Sequence, residues 1–302
     1  MRNSFVKALL QHAERDPRLM LIVGDLGFSV VEPFAERMPK QYLNAGIAEQ
    51  NMAGVAAGLA MSGFHPFIYS IANFPTLRCL EQIRNDIAYH RQSVTVVAVG
   101  GGLGYGSLGY SHHAVQDLAC LRTMPGMLMA TPGDPLETIA VTRFLTAARR
   151  PSYLRLGKGG EPIVHATEPV LESLGPIQVR VGSNRAILAC GSILGVAAKA
   201  AEATGATLLS CPLWDDSAVT RAAFQATVGR FERLVVVEEH LAAGGFGSFV
   251  RECLENSPEH QGRIRCRALR AEVCEHIGPQ DQLQAVGGLT VAAMVEALEM
   301  AV

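Results

Sequence analysis

Apolar residues in this chain fall into two alternating rhythms. Short unbroken runs, "LMLIVG" (19–24), "HPFIYS" (65–70) and "VTVVAVG" (94–100), alternate with stretches at 48–62 and 76–89 where apolar positions recur at helical spacing. The runs have the length of strands buried on both faces, and the stretches have the period of helices. "MLMA" (127–130) and "SYLRL" (152–156) continue the strands, with helices expected near 114–122 and at 134–148. The opening "MRNSFVKALLQHAERDP" reads as an amphipathic helix. Alternation of continuous apolar strands with helices predicts a parallel sheet covered on both faces.

Between about 157 and 180 the rhythm fades in "GKGGEPIVHATEPVLESLGP", whose glycines and prolines give it the character of a linker. It then resumes, with strands at 185–191, 206–210, 233–240 and 263–269, helices between them and one at 290–300. The expected fold is α/β with two domains, each a mostly parallel sheet flanked by helices. The expected boundaries are residues 1–165, a linker at 166–180, and a smaller domain at 181–302.

Composition narrows the classes. The chain has 302 residues, 49% hydrophobic and 18% charged, enough for a sizeable core. Its formal net charge of -2 argues against a nucleic-acid binder, which carries a basic face. No apolar run reaches the ~18 residues of a membrane span. The first helix lacks the apolar core and cleavage site of a signal peptide, so a cytoplasmic location is expected. The cysteines are odd in number and form no C-x-x-C pair, which argues against a disulfide framework or zinc ribbon. Most read as small buried apolar residues.

Candidate chemistry concentrates in three places. The loop "GGGLGYGSLGYSHHA" (100–114) follows the clearest strand, and Gly104, Gly106 and Gly109 match G-x-G-x-x-G. In a dinucleotide-binding fold that turn runs straight into its helix, with an acid about 20 residues on. Here a long loop intervenes and no such acid follows, so the match is weak support for a nicotinamide-linked oxidoreductase. Long loops without structure usually line a site, and this one ends in His112 and His113. No Asp, Glu or Cys stands at ligand spacing, so no metal site is expected. Either one histidine faces a polar substrate, or it caps the following helix.

Phe74 precedes the helical stretch 76–89; an aromatic so placed is usually core. Arg78 and Arg84 form either a solvated face or pairs across a subunit interface. Glu49 opens a helix carrying Ala53, Gly54, Ala56, Ala57, Gly58 and Ala60. A carboxylate in a first helical turn gains roughly 0.3–1 kcal/mol from the macrodipole. Each interior glycine costs about 1 kcal/mol relative to alanine, so close packing is expected there, with a subunit interface as one setting. A carboxylate at the end of such a helix is partly desolvated and is a candidate acid–base group.

Taken in order, "GIAEQNMAGVAAGLAMSGFHPFIYS", "VAVGGGLGYGSLGYSHHAVQDLACLRTMPGM", "ATPGDPLE" and "RPSYLRLGK" resemble the pyrimidine-binding part of the transketolase family. "ILACGS" and "VVVEEHLAAGGFGS" resemble its C-terminal domain. The resemblance covers essentially the whole chain. It is specific to the superfamily and less so to the substrate. Deoxyxylulose phosphate synthase and the β subunits of 2-oxoacid dehydrogenases share the plan.

The resemblance implies thiamine diphosphate as cofactor. Glu49 matches the acid of the G-[IV]-x-E motif, which bonds N1′ of the aminopyrimidine and drives the tautomerisation that yields the ylide nucleophile. Phe74 matches an aromatic that stacks on the pyrimidine, with Tyr69 as the fallback, and Ile47 joins the cofactor-binding set. His112 matches a loop histidine that meets substrate hydroxyls, and with Glu49 it makes the implied catalytic pair. Ser29, Lys158 and Arg2 fall near sugar-phosphate positions, Lys158 as a point charge in place of an arginine fork.

Departures from the family pattern also carry information. Gly100 stands where many transketolases have a histidine, and Leu108 where they have an aspartate. Both remove polar contacts to the sugar and open the site to a modified ketose. The G-D-G segment that holds diphosphate and Mg²⁺ in this family is absent from the sequence. The chain therefore resembles the C-terminal subunit of a split transketolase. The implied partner is an N-terminal diphosphate-binding subunit that holds most of the Mg²⁺ (or Ca²⁺) site, in an α₂β₂ heterotetramer. The implied reaction moves a two-carbon ketol unit from a ketose (phosphate) donor to an aldose acceptor. Alternatives are an E1 β-like subunit of a 2-oxoacid dehydrogenase and a non-catalytic half-transketolase scaffold. Gln50, Asn51 and "GYSHHA" favour transketolase, and the retained Glu49 argues against a scaffold.

Overall fold

The computed structural model of the chain describes residues 1–257 and 262–300. The first half builds β1 (Leu19–Val23), β2 (Tyr42–Asn44), β3 (His65–Ile71), β4 (Thr95–Val99), β5 (Leu128–Ala130) and β6 (Ser152–Leu156). These are parallel in the order β5-β6-β4-β3-β1-β2. The second half adds β7 (Gly175–Arg180), β8 (Arg185–Cys190), β9 (Thr207–Trp214), β10 (Arg233–Leu241) and β11 (Ile264–Leu269). There β9-β8-β10-β11 are parallel.

The two parallel sheets are joined edge to edge. β5 pairs antiparallel with β9, setting Met129 opposite Trp214 and Ala130 opposite Leu213. Among the described residues the strands thus form one eleven-stranded sheet. β4 is buried along its whole length, as its unbroken β-branched run requires of a strand covered on both faces. On one face α1 (Arg2–Ala13) and α6 (Pro135–Ala148) bury Phe5, Leu9, Val141 and Leu145 against β1, β3 and β4. On the other, α3 (Glu49–Met61) buries Met52, Ala53 and Ala56. That core continues across the junction through Met129, Tyr153 and Trp214.

Three differences from the expected elements have physical causes. The stretch 76–89 is a 3₁₀ turn (Leu77–Cys79), one α turn (Leu80–Gln82) and a π-helical segment (Ile83–Tyr89). Ile83 and Ile87 are buried there, so apolar spacing does not separate the π form from the α form. The helix expected near 114–122 begins later, as α5 (Asp117–Leu121), because Ala114 first pairs with Gly102 to close the preceding loop. Residues 175–180, expected within the linker, form β7 against β9; its half-exposed alternation is weak beside Gly175 and Pro176.

Parallel register sends the chain out of β1, β3 and β4 at one edge of the sheet. Gly24, residues 72–74 and residues 100–102 leave together there, where α/β sheets bind ligands.

Candidate active site

Glu49 starts α3 after a loop pinned by Asn44. Asn44 Oδ1 accepts from the N–H groups of Gly46 at 2.9 Å and Asp25 at 3.2 Å. Glu49 is 2% exposed. Its Oε2 accepts from Arg78 Nη1 at 2.7 Å, while Oε1 is buried without a partner. A Cβ on Gly24 would lie 3.3 Å from Glu49 Cγ, 3.4 Å from Ser70 Oγ and 3.5 Å from Glu49 Oε1. Ser70 Oγ is also buried without a partner. Leaving a buried acceptor unpaired is costly, and native structures rarely do so without a reason.

The small residues of α3 divide by face. Ala53, Ala56 and Ala57 are buried against the chain's own core. Gly54 and Gly58 face outward, with nothing within 4 Å of an added Cβ. The close packing expected at these glycines is therefore not made within this chain.

Phe74 and His112 come from distant loops and meet, with ring centroids 5.3 Å apart and steeply inclined planes. Asn73 ties the loops together, donating from Nδ2 to the carbonyls of Ser111 and His113, each at 3.0 Å. The Arg78 guanidinium carbon lies 4.3 Å from the Phe74 ring centroid, so this arginine bridges Glu49 and Phe74. The two adjacent histidines separate clearly. His112 is half-buried, with Nδ1 3.0 Å from Ser111 Oγ. His113 is buried with Nε2 3.4 Å from the Gly106 carbonyl, and burial lowers its pKa.

Tyr105 gathers other candidates. Its ring is 6.5 Å from that of His112 and 5.2 Å from Lys158 Nζ. Burial raises its hydroxyl pKa against the opposing pull of Arg2 beside it. A Cβ on Gly100 would fall 2.1 Å from the Tyr105 ring, and the backbone there has φ of +82°. Tyr105 thus fills the space of any side chain at position 100. Arg2, Gly27, Phe28, Ser70 and Tyr105 border a concavity of about 180 Å³.

The remaining candidates stand differently. Tyr69 borders that concavity but is 2% exposed, and its ring stacks on Phe5 at 6.2 Å, so it packs as core. Ser29 is exposed in a left-handed backbone (φ +64°), its N–H bound to Glu32 Oε1 at 2.7 Å, and it does not join the Tyr105 cluster. Ile47, in the loop before Glu49, is 80% exposed.

Sequence reasoning missed the buried groups that hold this edge. Arg155 Nε donates to Asp117 Oδ2 at 2.7 Å, and its Nη2 donates to the carbonyls of Ala114 at 2.7 Å and Glu239 at 3.0 Å. Tyr153 also donates to Asp117. Burial pushes the Asp117 carboxyl up, but Arg155 beside it prevails and holds it below the usual range. The available signal was "EEH" (238–240), three polar residues ending an apolar strand.

The pyrimidine end of thiamine diphosphate fits these residues. Glu49 Oε1 and Ser70 Oγ are unpaired polar atoms beside a bare Gly24, and Phe74 supplies an aromatic ring next to Arg78. Among the described residues no group of three or more His, Cys, Asp or Glu is arranged to hold a metal ion.

Comparison with known proteins gives the family. The family model for the transketolase pyrimidine binding domain matches residues 1–161, and that for the transketolase C-terminal domain matches residues 176–294. An apulose-4-phosphate transketolase subunit of Phocaeicola vulgatus is 34% identical over 267 residues, 85% of this chain and 84% of that one. The 6-deoxy-6-sulfo-D-fructose transketolase subunit SqwH of a Clostridium species is 32% identical over 309 residues, 98% of this chain and 92% of that one. A solved split gene transketolase, an inactive beta4 tetramer, matches with TM-score 0.86 at 29% identity, over 99% of this chain and 96% of that one. With both halves matched and relatives aligned over most of their length, this chain belongs to the transketolase family, as a pyrimidine-binding plus C-terminal-domain polypeptide homologous to the corresponding subunits of split transketolases.

Proposed function

We propose that this chain is the C-terminal subunit of a thiamine-diphosphate-dependent split transketolase that transfers a two-carbon ketol unit from a ketose donor to an aldose acceptor. The observation that carries this reading is the unpaired Oε1 of Glu49, buried at the sheet edge beside Phe74 and Arg78. When bound, thiamine diphosphate supplies the carbon nucleophile that carries the two-carbon unit.

The chain's own residues then have distinct tasks. Glu49 Oε1 holds or releases a proton at N1′ of the aminopyrimidine. Arg78 fixes the other carboxylate oxygen, so only one is available. Exclusion of water strengthens that hydrogen bond. Phe74 covers the ring. His112, half-buried and held through Ser111, faces the donor's hydroxyl groups. Lys158 and Arg2, both beside Tyr105, suit a donor with an anionic end. Two relatives are named for sugars that carry a phosphate or a sulfo group, which supports that class.

A partner subunit supplies the diphosphate and Mg²⁺ (or Ca²⁺) site in an α₂β₂ assembly. The outward Gly54 and Gly58 and the exposed Ile47 and Val55 support a close neighbour at this face. Both relatives are named as subunits of a transketolase, which supports a second, different chain.

The test is recovery of this chain from its native host with thiamine diphosphate and Mg²⁺ present, followed by sequencing of co-purified chains. A stoichiometric partner bearing a G-D-G segment, in a complex that transfers ketol units, is the expected result. A homo-oligomer with tightly bound thiamine diphosphate would overturn the half-site reading. A chain with neither partner nor cofactor would return the scaffold alternative.

A further inference from the structure

We infer that Glu239, in the second half of the sheet, is a positioning residue that sets the place of His112 by anchoring the backbone of the glycine-rich loop. The functional part of this inference rests on the role proposed above for His112.

Glu239 lies near the end of β10 and is fully buried. Its Oε1 accepts from the Leu103 N–H at 3.1 Å. Gln280 Nε2 braces both carboxylate oxygens, at 3.0 and 2.9 Å, and Ser192 Oγ reaches Oε2 at 3.4 Å. Leu103 is the first link of a spiral of hydrogen bonds. Gly106 N–H donates to the Leu103 carbonyl at 2.8 Å, Gly109 N–H to that of Gly106 at 3.1 Å, and His112 N–H to that of Gly109 at 2.9 Å. Displacing Leu103 therefore displaces the backbone of His112.

Three glycines of this loop, Gly102, Gly106 and Gly109, are contact points for the second half of the chain. A Cβ on Gly102 would lie 2.7 Å from both Cγ and Cδ of Glu239, in a backbone with φ of +70°. A Cβ on Gly106 would lie 2.4 Å from Leu283 Cδ1 and 2.7 Å from the Gly278 carbonyl. Gly278 N–H in turn donates to the Gly106 carbonyl at 3.3 Å. Gly106 and Gly109 of the G-x-G-x-x-G run, with Gly102 ahead of it, thus allow close approach between the two halves of the molecule, while Gly104 packs on Gly100 within its own loop. At the loop's far end, Arg155 holds the Ala114 carbonyl and, with the same nitrogen, the Glu239 carbonyl. Both ends of the loop that carries His112 are thereby tied to one residue of β10.

The test has two arms. In the full chain, hydrogen exchange of segment 100–113 is compared between wild type and Glu239→Ala. Loss of the anchor should speed exchange there by about tenfold or more, with α3 unchanged, because local opening becomes easier. In the assembled enzyme, Glu239→Ala, His112→Ala and the double variant are compared. A misplacement near 1 Å can cost about 100-fold, so each single variant should lower donor kcat/KM by ten- to a hundredfold. The double variant should be no worse than the poorer single, since both changes remove one placed group. The Kd for thiamine diphosphate should stay within about twofold, because Glu239 does not contact Glu49 or Phe74. Unchanged exchange in 100–113, or multiplied losses in the double variant, would overturn the inference. If Glu239→Ala fails to fold, Gln280→Ala removes only the brace and should show the same pattern at smaller size. If His112→Ala leaves kcat/KM unchanged, the role of His112 fails, while the exchange arm still decides whether Glu239 anchors the loop.

Discussion

Arg78 donates to Glu49 Oε2 at 2.7 Å, and the same guanidinium lies 4.3 Å from the centre of the Phe74 ring. One side chain thereby fixes an acid from α3 relative to an aromatic from the loop after β3. It leaves the second oxygen of the acid unpaired. A fixed acid with one open oxygen beside an aromatic ring makes this edge of the sheet suited to handling a proton.

Glu49→Ala and Glu49→Gln should lower turnover of the assembled enzyme by about 10²–10⁴-fold, the usual worth of a placed acid–base group. Melting temperature should change little in Glu49→Gln, whose amide oxygen can keep the Arg78 contact while the position of Oε1 makes no internal bond. Steady-state rates with calorimetry on the same preparation separate the two effects. Near-normal activity in either variant would remove Glu49 from the mechanism.

Arg78→Ala leaves a buried carboxylate with no partner on either oxygen. The arginine side chain is 44% exposed, which discounts the pair's own strength. The unpaired acceptor left behind should still cost about 1–2 kcal/mol. Urea unfolding of wild type, Arg78→Ala and Arg78→Lys measures it, with lysine expected to restore part of the loss. Equal stability of all three would mean that the pair contributes nothing.

Asp117→Ala should be the most damaging of these substitutions to the fold. It strands Arg155, which is buried and whose pKa its acidic neighbours raise despite burial. Breaking a buried pair costs about 3–5 kcal/mol. Chemical denaturation checks the size, and a loss below about 1 kcal/mol would show that water reaches the arginine.

A cluster at the start of α6 should make stability depend on pH. Burial pushes the Glu137 carboxyl up to about 7. Burial also opposes ionisation of Asp134, but hydrogen bonds from His165 and from the backbone prevail and hold it at about 2. Desolvation pulls the His165 pKa down, yet Asp134 and Glu137 outweigh it and raise it. Because Glu137 is raised, its contribution is full below its ordinary 4.5 and is lost as pH climbs through about 7. His165 has the same sign, its share being lost as pH rises through its raised value. Asp134 contributes above its ordinary 3.8 and loses its share only as pH falls towards 2. Unfolding free energy should therefore fall between pH 4.5 and 7, and Glu137→Gln should reduce that fall by on the order of 3 kcal/mol. A variant with the wild-type slope would refute the assignment.

Much of the framework follows from local pattern. The continuous run 94–100 contains β4 because a mostly β-branched stretch buried on both faces has no other stable place. Asp134 and Pro135 start α6 as an N-cap and first-turn proline do. Glu49 is conspicuous in sequence because a carboxylate precedes a run of small residues. Gly100 is conspicuous too, but its cause, the Tyr105 ring, lies outside any local window.

The sequence by itself determined the family, the α/β alternation with all strands but β2 and β7, and the choice of Glu49 and His112 as candidates. Each is written in neighbouring residues through periodicity, capping or an ordered motif. Only the tertiary structure decided that β5 and β9 join antiparallel, that Asn73 and Arg78 assemble the edge, and that Glu239 reaches Leu103. Those relationships span separations of up to 136 positions along the chain and depend on register and close approach, which no local pattern encodes.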